Sequence, residues 1–188
     1  MSINKYRPHV LVLPEDDANR RIANGFLLYP DLDERRIQVL PPAGGWNEVL
    51  EHLRDVHARE MSKYLQRRMV LLIDFDEDSQ RLSDVRKQIS KDLTDRVFVL
   101  GVFSEPERLK TAIGKTLEEI GKALAQDCVN DTRTVWGHNL LNHNEGELDH
   151  MNRTVPSVAQ VLFPCPGREL KPIEVTHQEA AFGAYPDL

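Results

Sequence analysis

Residues 69–78 read MVLLIDFDED, five apolar residues in succession followed by four acids with one aromatic among them. A run so short and so continuous, closed off by charge, has the pattern of a β-strand covered on both faces, as in the centre of a parallel sheet. Ligands of such sheets gather at the carboxyl ends of the strands, and DFDED begins where this strand ends. Working outwards, residues 10–13 (VLVL) form a second β-rich run that stops at Pro14-Glu15-Asp16-Asp17. Residues 37–40 form a third, ended by Pro41-Pro42-Ala43-Gly44-Gly45, and residues 96–103 a fourth. Prolines and glycines of that density cannot continue a sheet.

Helical spacing fills the intervals, over about 18–28, over 46–65, where Val49, Leu50, Leu53, Val56 and Met61 keep one face, and over 82–93. Strand and helix therefore alternate four times, which predicts an α/β fold: a four-stranded, mainly parallel, doubly wound sheet with right-handed crossovers. Ser104 as N-cap and Pro106 at an early helical position predict a further helix to Leu109 or Ile113. Residues 117–128 are amphipathic, and 136–152, rich in His and Asn, have room for one more helix. Beyond residue 164 proline, glycine and polar residues dominate, so an irregular tail is expected. The expected organisation is an α/β core over 1–104, a helical extension packed on it over 105–163, and the tail over 164–188.

A chain of 188 residues, 40% of them hydrophobic, fits one domain with a buried core. No apolar run approaches the roughly 20 residues a membrane helix needs. Residues 1–6 lack the apolar stretch of a secretory leader, so the expected location is the cytoplasm, without a membrane partner. The two cysteines, Cys128 and Cys165, have no CxxC spacing and are expected to be reduced and free of zinc. A net charge of -6 argues against a self-sufficient nucleic-acid binder, because phosphate contacts depend on clustered Lys and Arg.

Two acidic clusters each follow a strand. At extended spacing Asp74 and Asp76 share a face while Phe75 turns to the other, and Asp78 extends the row. Crowded carboxylates repel, and a hard cation with a preference for oxygen ligands, Mg²⁺ or Mn²⁺, relieves the repulsion. Asp74, Asp76, Asp78 and Asp16 are the candidate metal ligands. The competing role is ordinary helix capping and loop solvation, for which Asp16 and Asp78 are well suited.

The order of motifs, Glu15-Asp16-Asp17, then Gly44-Gly45, then Asp74-Phe75-Asp76, resembles the Toprim family of topoisomerases, primases and overcoming-lysogenization-defect-type nucleases. The resemblance covers about residues 8–103. It implies a parallel sheet, metal held by Asp74 and Asp76, and phosphoryl transfer on nucleic acid, with Asp17 matching the acid after the first motif. Laid on the nuclease-type pattern Val-Glu-Gly-x-x-Asp, Leu13 takes the place of the catalytic Glu and Pro14 that of the Gly. Glu15 then becomes the candidate general acid or base, with Asp17 beside it. The expectation is a metal-dependent nuclease subunit that binds DNA or RNA weakly alone and works with a protein partner or as a homo-oligomer. The alternative is a catalytically inactive relative serving as an interaction subunit.

Four other features invite readings of their own. VLVLPEDDANR (10–20) resembles the start of a response-regulator receiver, with Asp74 as phosphoacceptor, but the gap from Asp16 to Asp74 is long for that family and no Lys-Pro pair directly follows the strand ending at Phe103. His138, His143 and His150, with Asn139, Asn142 and Asn144, invite a metal or HNH-like reading, yet helical metal pairs fall at i and i+3 or i+4. Trp46 suits the first buried turn of a helix better than a base-stacking platform. Arg20-Arg21, Arg35-Arg36 and Arg67-Arg68 stand among acids and define no continuous basic groove.

Overall fold

The structure is a computed structural model describing residues 3–164; Cys165 and the tail expected after Pro164 lie outside the described residues. Four strands, β1 (His9–Pro14), β2 (Ile37–Val39), β3 (Arg67–Asp74) and β4 (Val97–Val102), make one sheet in the order β2-β1-β3-β4. Every neighbouring pair is parallel, so the expected α/β class holds and the sheet is wholly parallel. From β1 the chain moves outward to β2, then returns across β1 to build β3 and β4. The direction of winding thus reverses between β1 and β3, the place where open α/β sheets open a crevice for ligands.

Alternating side chains of the buried strands feed two apolar layers. Val10, Val12, Val70 and Leu100 face one layer together with Ile22, Leu109, Ile120, Leu124 and Val161. Leu11, Leu13, Leu71, Ile73 and Val99 face the other, with Val49, Leu53, Met61 and Val85. The first layer is covered by α1 (Asp17–Leu27), α5 (Pro106–Ile113), α6 (Leu117–Asn130), α7 (Glu145–Arg153) and α8 (Val158–Leu162). The second is covered by α2 (Trp46–His52), which passes through one wide turn (Leu53–His57) into α3 (Ala58–Lys63), and by α4 (Arg81–Gln88).

Helices α1 and α6 cross with their backbones nearly touching. A Cβ on Gly25 would lie 2.1 Å from the Glu118 carbonyl oxygen, and one on Gly121 would lie 2.0 Å from that of Ile22. Only glycine permits this approach.

Several elements differ from expectation. Helix α4 stops at Gln88 because Ile89 turns extended (φ -79°, ψ 128°) and is buried with Leu93. Ser104 is buried, and the N-cap of α5 is Glu105, with Pro106 in the first turn. Of the His- and Asn-rich segment only its end is regular helix, and α8, with Ser157 and Gln160 forming a capping box, was not foreseen.

The open edge of β4 is closed by side chains of that same segment. The Gly101 N–H donates to Asn144 Oδ1 at 3.0 Å and the Gly101 carbonyl accepts from Asn144 Nδ2 at 2.8 Å. The Val99 N–H donates to Glu147 Oε2 at 2.9 Å, and Glu147 is itself gripped by the guanidinium fork of Arg86.

Candidate functional site at the sheet switch point

Pro14 and Asp74 are the last residues of the two central strands, so the residues after them meet at the reversal point. Leu13 stays in β1, 1% exposed in the second apolar layer, and cannot reach solvent. Glu15 is the first side chain free of the strand. Its N–H donates to the Leu72 carbonyl at 2.8 Å, and its Oε2 accepts the Asp74 N–H at 2.8 Å. The glycine motif joins at the same point: the Ala43 and Gly44 N–H groups donate to the carbonyls of Pro14 and Glu15 at 3.0 and 2.8 Å. Gly44 has φ 108°, which a side chain would oppose.

Asp16 caps α1, its Oδ1 accepting the Asn19 N–H at 2.8 Å. The Asn19 amide nitrogen also donates to Asp16 Oδ1 and to Asp74 Oδ1, each at 3.0 Å, and so ties the two acidic motifs together. Asn19 is fully buried, and its own Oδ1 has no partner among the described residues. Burial raises the Asp74 carboxyl to about 7; the Asn19 hydrogen bond opposes the rise, and the charges of Glu15, Asp16 and Asp76 add to it. Glu15 is raised too, mainly by burial, against the stabilising Asp74 N–H.

The other acids are disposed differently. Strand geometry ends at Asp74, Phe75 turns into the core, and Asp76 and Glu77 take left-handed backbone (φ 49° and 60°), so the expected alternation reaches only Phe75. Asp76 and Asp78 face Arg81, at 3.2 and 3.7 Å from its guanidinium. Arg81 lies over the Trp46 ring at 4.7 Å, and its Nη1 is buried without a partner among the described residues. Asp17 pairs with Arg20 in the first turn of α1. The histidines do not converge on one site: His143 is wedged between Phe75 and Phe103, both ring nitrogens are without a partner among the described residues, and burial lowers it to about 4. Asn144 serves the β4 edge and Trp136 is buried.

Among the described residues no three His, Cys, Asp or Glu side chains are set as a cage for an ion. The donors at the switch point are nonetheless all oxygen: the carboxylates of Glu15, Asp16, Asp74 and Asp76 and the orphaned Asn19 Oδ1. That set fits the hard-cation chemistry of Mg²⁺ and not the nitrogen and sulfur preference of zinc. Asn19 and Arg81 are the site residues that the motif reading missed, and Trp46, read there as helix packing, lies under the Arg81 guanidinium. Asn19 lies four positions before Ala23 on the buried face of α1, a polar residue in an apolar stripe, and that was the available signal.

Comparison with protein-family models, curated proteins and solved structures found no match to this chain.

Proposed function

We propose that this chain is a Toprim-like subunit that acts on nucleic-acid phosphodiesters with Mg²⁺ or Mn²⁺ at the β1–β3 switch point. The observation that carries the reading is the bond from the Asp74 N–H to Glu15 Oε2, which brings the acid after β1 onto the DxD motif after β3. Asp74 and Asp76, with Asp16 and Asn19 Oδ1 beside them, would hold the cation. When bound, the cation supplies charge stabilisation at the phosphate and lowers the pKa of water near it. Glu15, whose pKa is raised by burial against the opposing Asp74 N–H, is placed to take up and return a proton as a general acid or base. Arg81, which lies over the Trp46 ring and faces Asp76 at 3.2 Å, is a positive charge beside these acids, and Asp76 would exchange that pairing for the cation. Asp17 and Asp78, paired with arginines in this arrangement, hold the surrounding charge in balance.

The test measures metal-dependent thermal stabilisation and nicking of DNA and RNA for the parent and two variants, with and without a co-purifying partner. Mg²⁺ or Mn²⁺ should raise Tm of the parent by mass action. Asp74→Asn with Asp76→Asn should abolish that rise together with cleavage. Glu15→Gln should keep the rise and lose cleavage by about 10²-fold or more, the usual contribution of a positioned acid or base. A metal-dependent rise unchanged in the double Asn variant would remove the site. A parent complex that binds metal and never cuts would leave the inactive interaction subunit as the function.

A further inference from the structure

The opposite end of the sheet holds a second concentration of chemistry. Arg68, the second residue of β3, lies six residues before Asp74, about 20 Å away at strand rise. It is 6% exposed, yet no carboxylate lies within salt-bridge distance of it among the described residues. One nitrogen, Nη2, donates to the Pro156 carbonyl at 2.6 Å; Nε and Nη1 are buried with no partner among the described residues. Burial and the neighbouring charge of Arg96 both lower its pKa, but a guanidinium stays protonated in proteins. A buried, uncompensated charge with two idle donors is among the costliest arrangements a fold can keep.

The guanidinium borders a pocket of about 450 Å³ lined also by Arg96, His150, Arg153 and Asp95. Arg96 spends its Nη1 on the carbonyls of Met61 and Leu65, and neither it nor Arg153 has a carboxylate partner among the described residues. The single acid in the lining, Asp95, is a 94% exposed side chain 3.9 Å from His150. The pocket is therefore cationic, has the size of a small-ligand site, and holds its least solvated cation at its wall.

We propose that this pocket is a binding site for a small phosphate-bearing anion, with Arg68 as the buried anchor and Arg96 and Arg153 closing on it from the rim. Forked guanidinium groups match the oxygens of phosphate and carboxylate alike, but three of them around one space favour a tetrahedral, multiply charged group over a planar, singly charged one. The site is separate from the acidic switch point and does not depend on the function assigned there.

The experiment is calorimetric titration of the full chain in EDTA with orthophosphate, pyrophosphate and citrate, at ionic strength held constant with chloride, and Tm measured alongside. Pyrophosphate or orthophosphate should bind one site and raise Tm, and citrate should bind more weakly. Arg68→Gln should lower the affinity about tenfold or more, as expected when charge-assisted hydrogen bonds worth about 1.5–3 kcal/mol are lost. Without anion, that variant should be as stable as the parent or more so, because a lone buried charge has been removed. Arg153→Gln, at an exposed position on α7 whose replacement spares the core, should weaken binding several-fold while leaving anion-free Tm unchanged. No binding above chloride, or affinity unchanged in Arg68→Gln and Arg153→Gln alike, would overturn the proposal. Citrate binding as tightly as pyrophosphate would overturn the phosphate assignment.

Discussion

Asp74 is the residue on which the most opposing forces meet. Its carboxyl is ordinarily half-protonated near 3.8 and is raised to about 7, chiefly by burial. The folded chain then holds this proton more firmly than the unfolded one, so the contribution of Asp74 to folding stability is full below about pH 4 and is lost as the pH rises through about 7. In EDTA, the urea midpoint of the parent should fall between pH 5 and pH 8. Asp74→Asn should flatten that fall and exceed the parent at pH 8, whereas an unchanged slope would mean that Asp74 titrates normally. His143 works in the opposite sense: lowered from 6.5 to about 4 by burial between two aromatic rings, it costs stability as the pH drops through that interval. His143→Phe should narrow the difference in stability between pH 7 and pH 4.5, read by the same denaturation series. At this scale Glu15, Asp16 and Asp74 were legible as acids that follow strands. The buried bond from Asn19 to Asp74 was not, since a pairing over 55 positions has no local pattern.

Among elements, the α1–α6 crossing depends on two hydrogen atoms where other residues carry a methyl. A Cβ at Gly121 meets the Ile22 carbonyl and, at 2.7 Å, the Phe26 nitrogen, and main chain cannot rotate aside as a side chain can. Gly121→Ala should lower stability toward the upper end of the roughly 1–3 kcal/mol typical of overpacking. Gly146→Ala is the matched control, because nothing lies within 4 Å of the added carbon in α7, and it should gain up to about 1 kcal/mol from helix propensity. Chemical denaturation of the two variants side by side checks both signs. Glu147→Ala should strand both the Val99 N–H and Arg86, a loss of about 3 kcal/mol for breaking a buried pair, moderated because Arg86 keeps its bond to the Val97 carbonyl. The strands, α1 and α6 were legible from apolar periodicity, and α5 from Pro106 at its start, although its N-cap is Glu105 and not Ser104. The helix expected within 136–152 is α7, but the rest of that stretch was not legible, because its polar residues answer to the edge of β4, a partner more than forty positions away.

The whole molecule carries a net charge of -6, with acids gathered at one end of the sheet and unpaired arginines at the other. Affinity of the isolated chain for DNA or RNA should accordingly be weak and should fall steeply with salt. Tight binding at physiological ionic strength, measured by fluorescence anisotropy on the purified chain, would show that no partner is required. The parallel architecture was visible in the alternation of runs, but the strand order, and with it the meeting of β1 and β3, needed the three-dimensional winding. The capping of β4 has a consequence for self-assembly. A bare outer strand is a template on which a second chain can add its own strand, the first step of runaway sheet growth. Here Asn144 and Glu147 occupy the hydrogen-bonding positions an incoming strand would need, and at the far side β2 offers only three residues. Among the described residues, copies of this chain that meet at high concentration therefore find no long bare strand to zip along, and Asn144→Ala should scatter more light than the parent on mild heating.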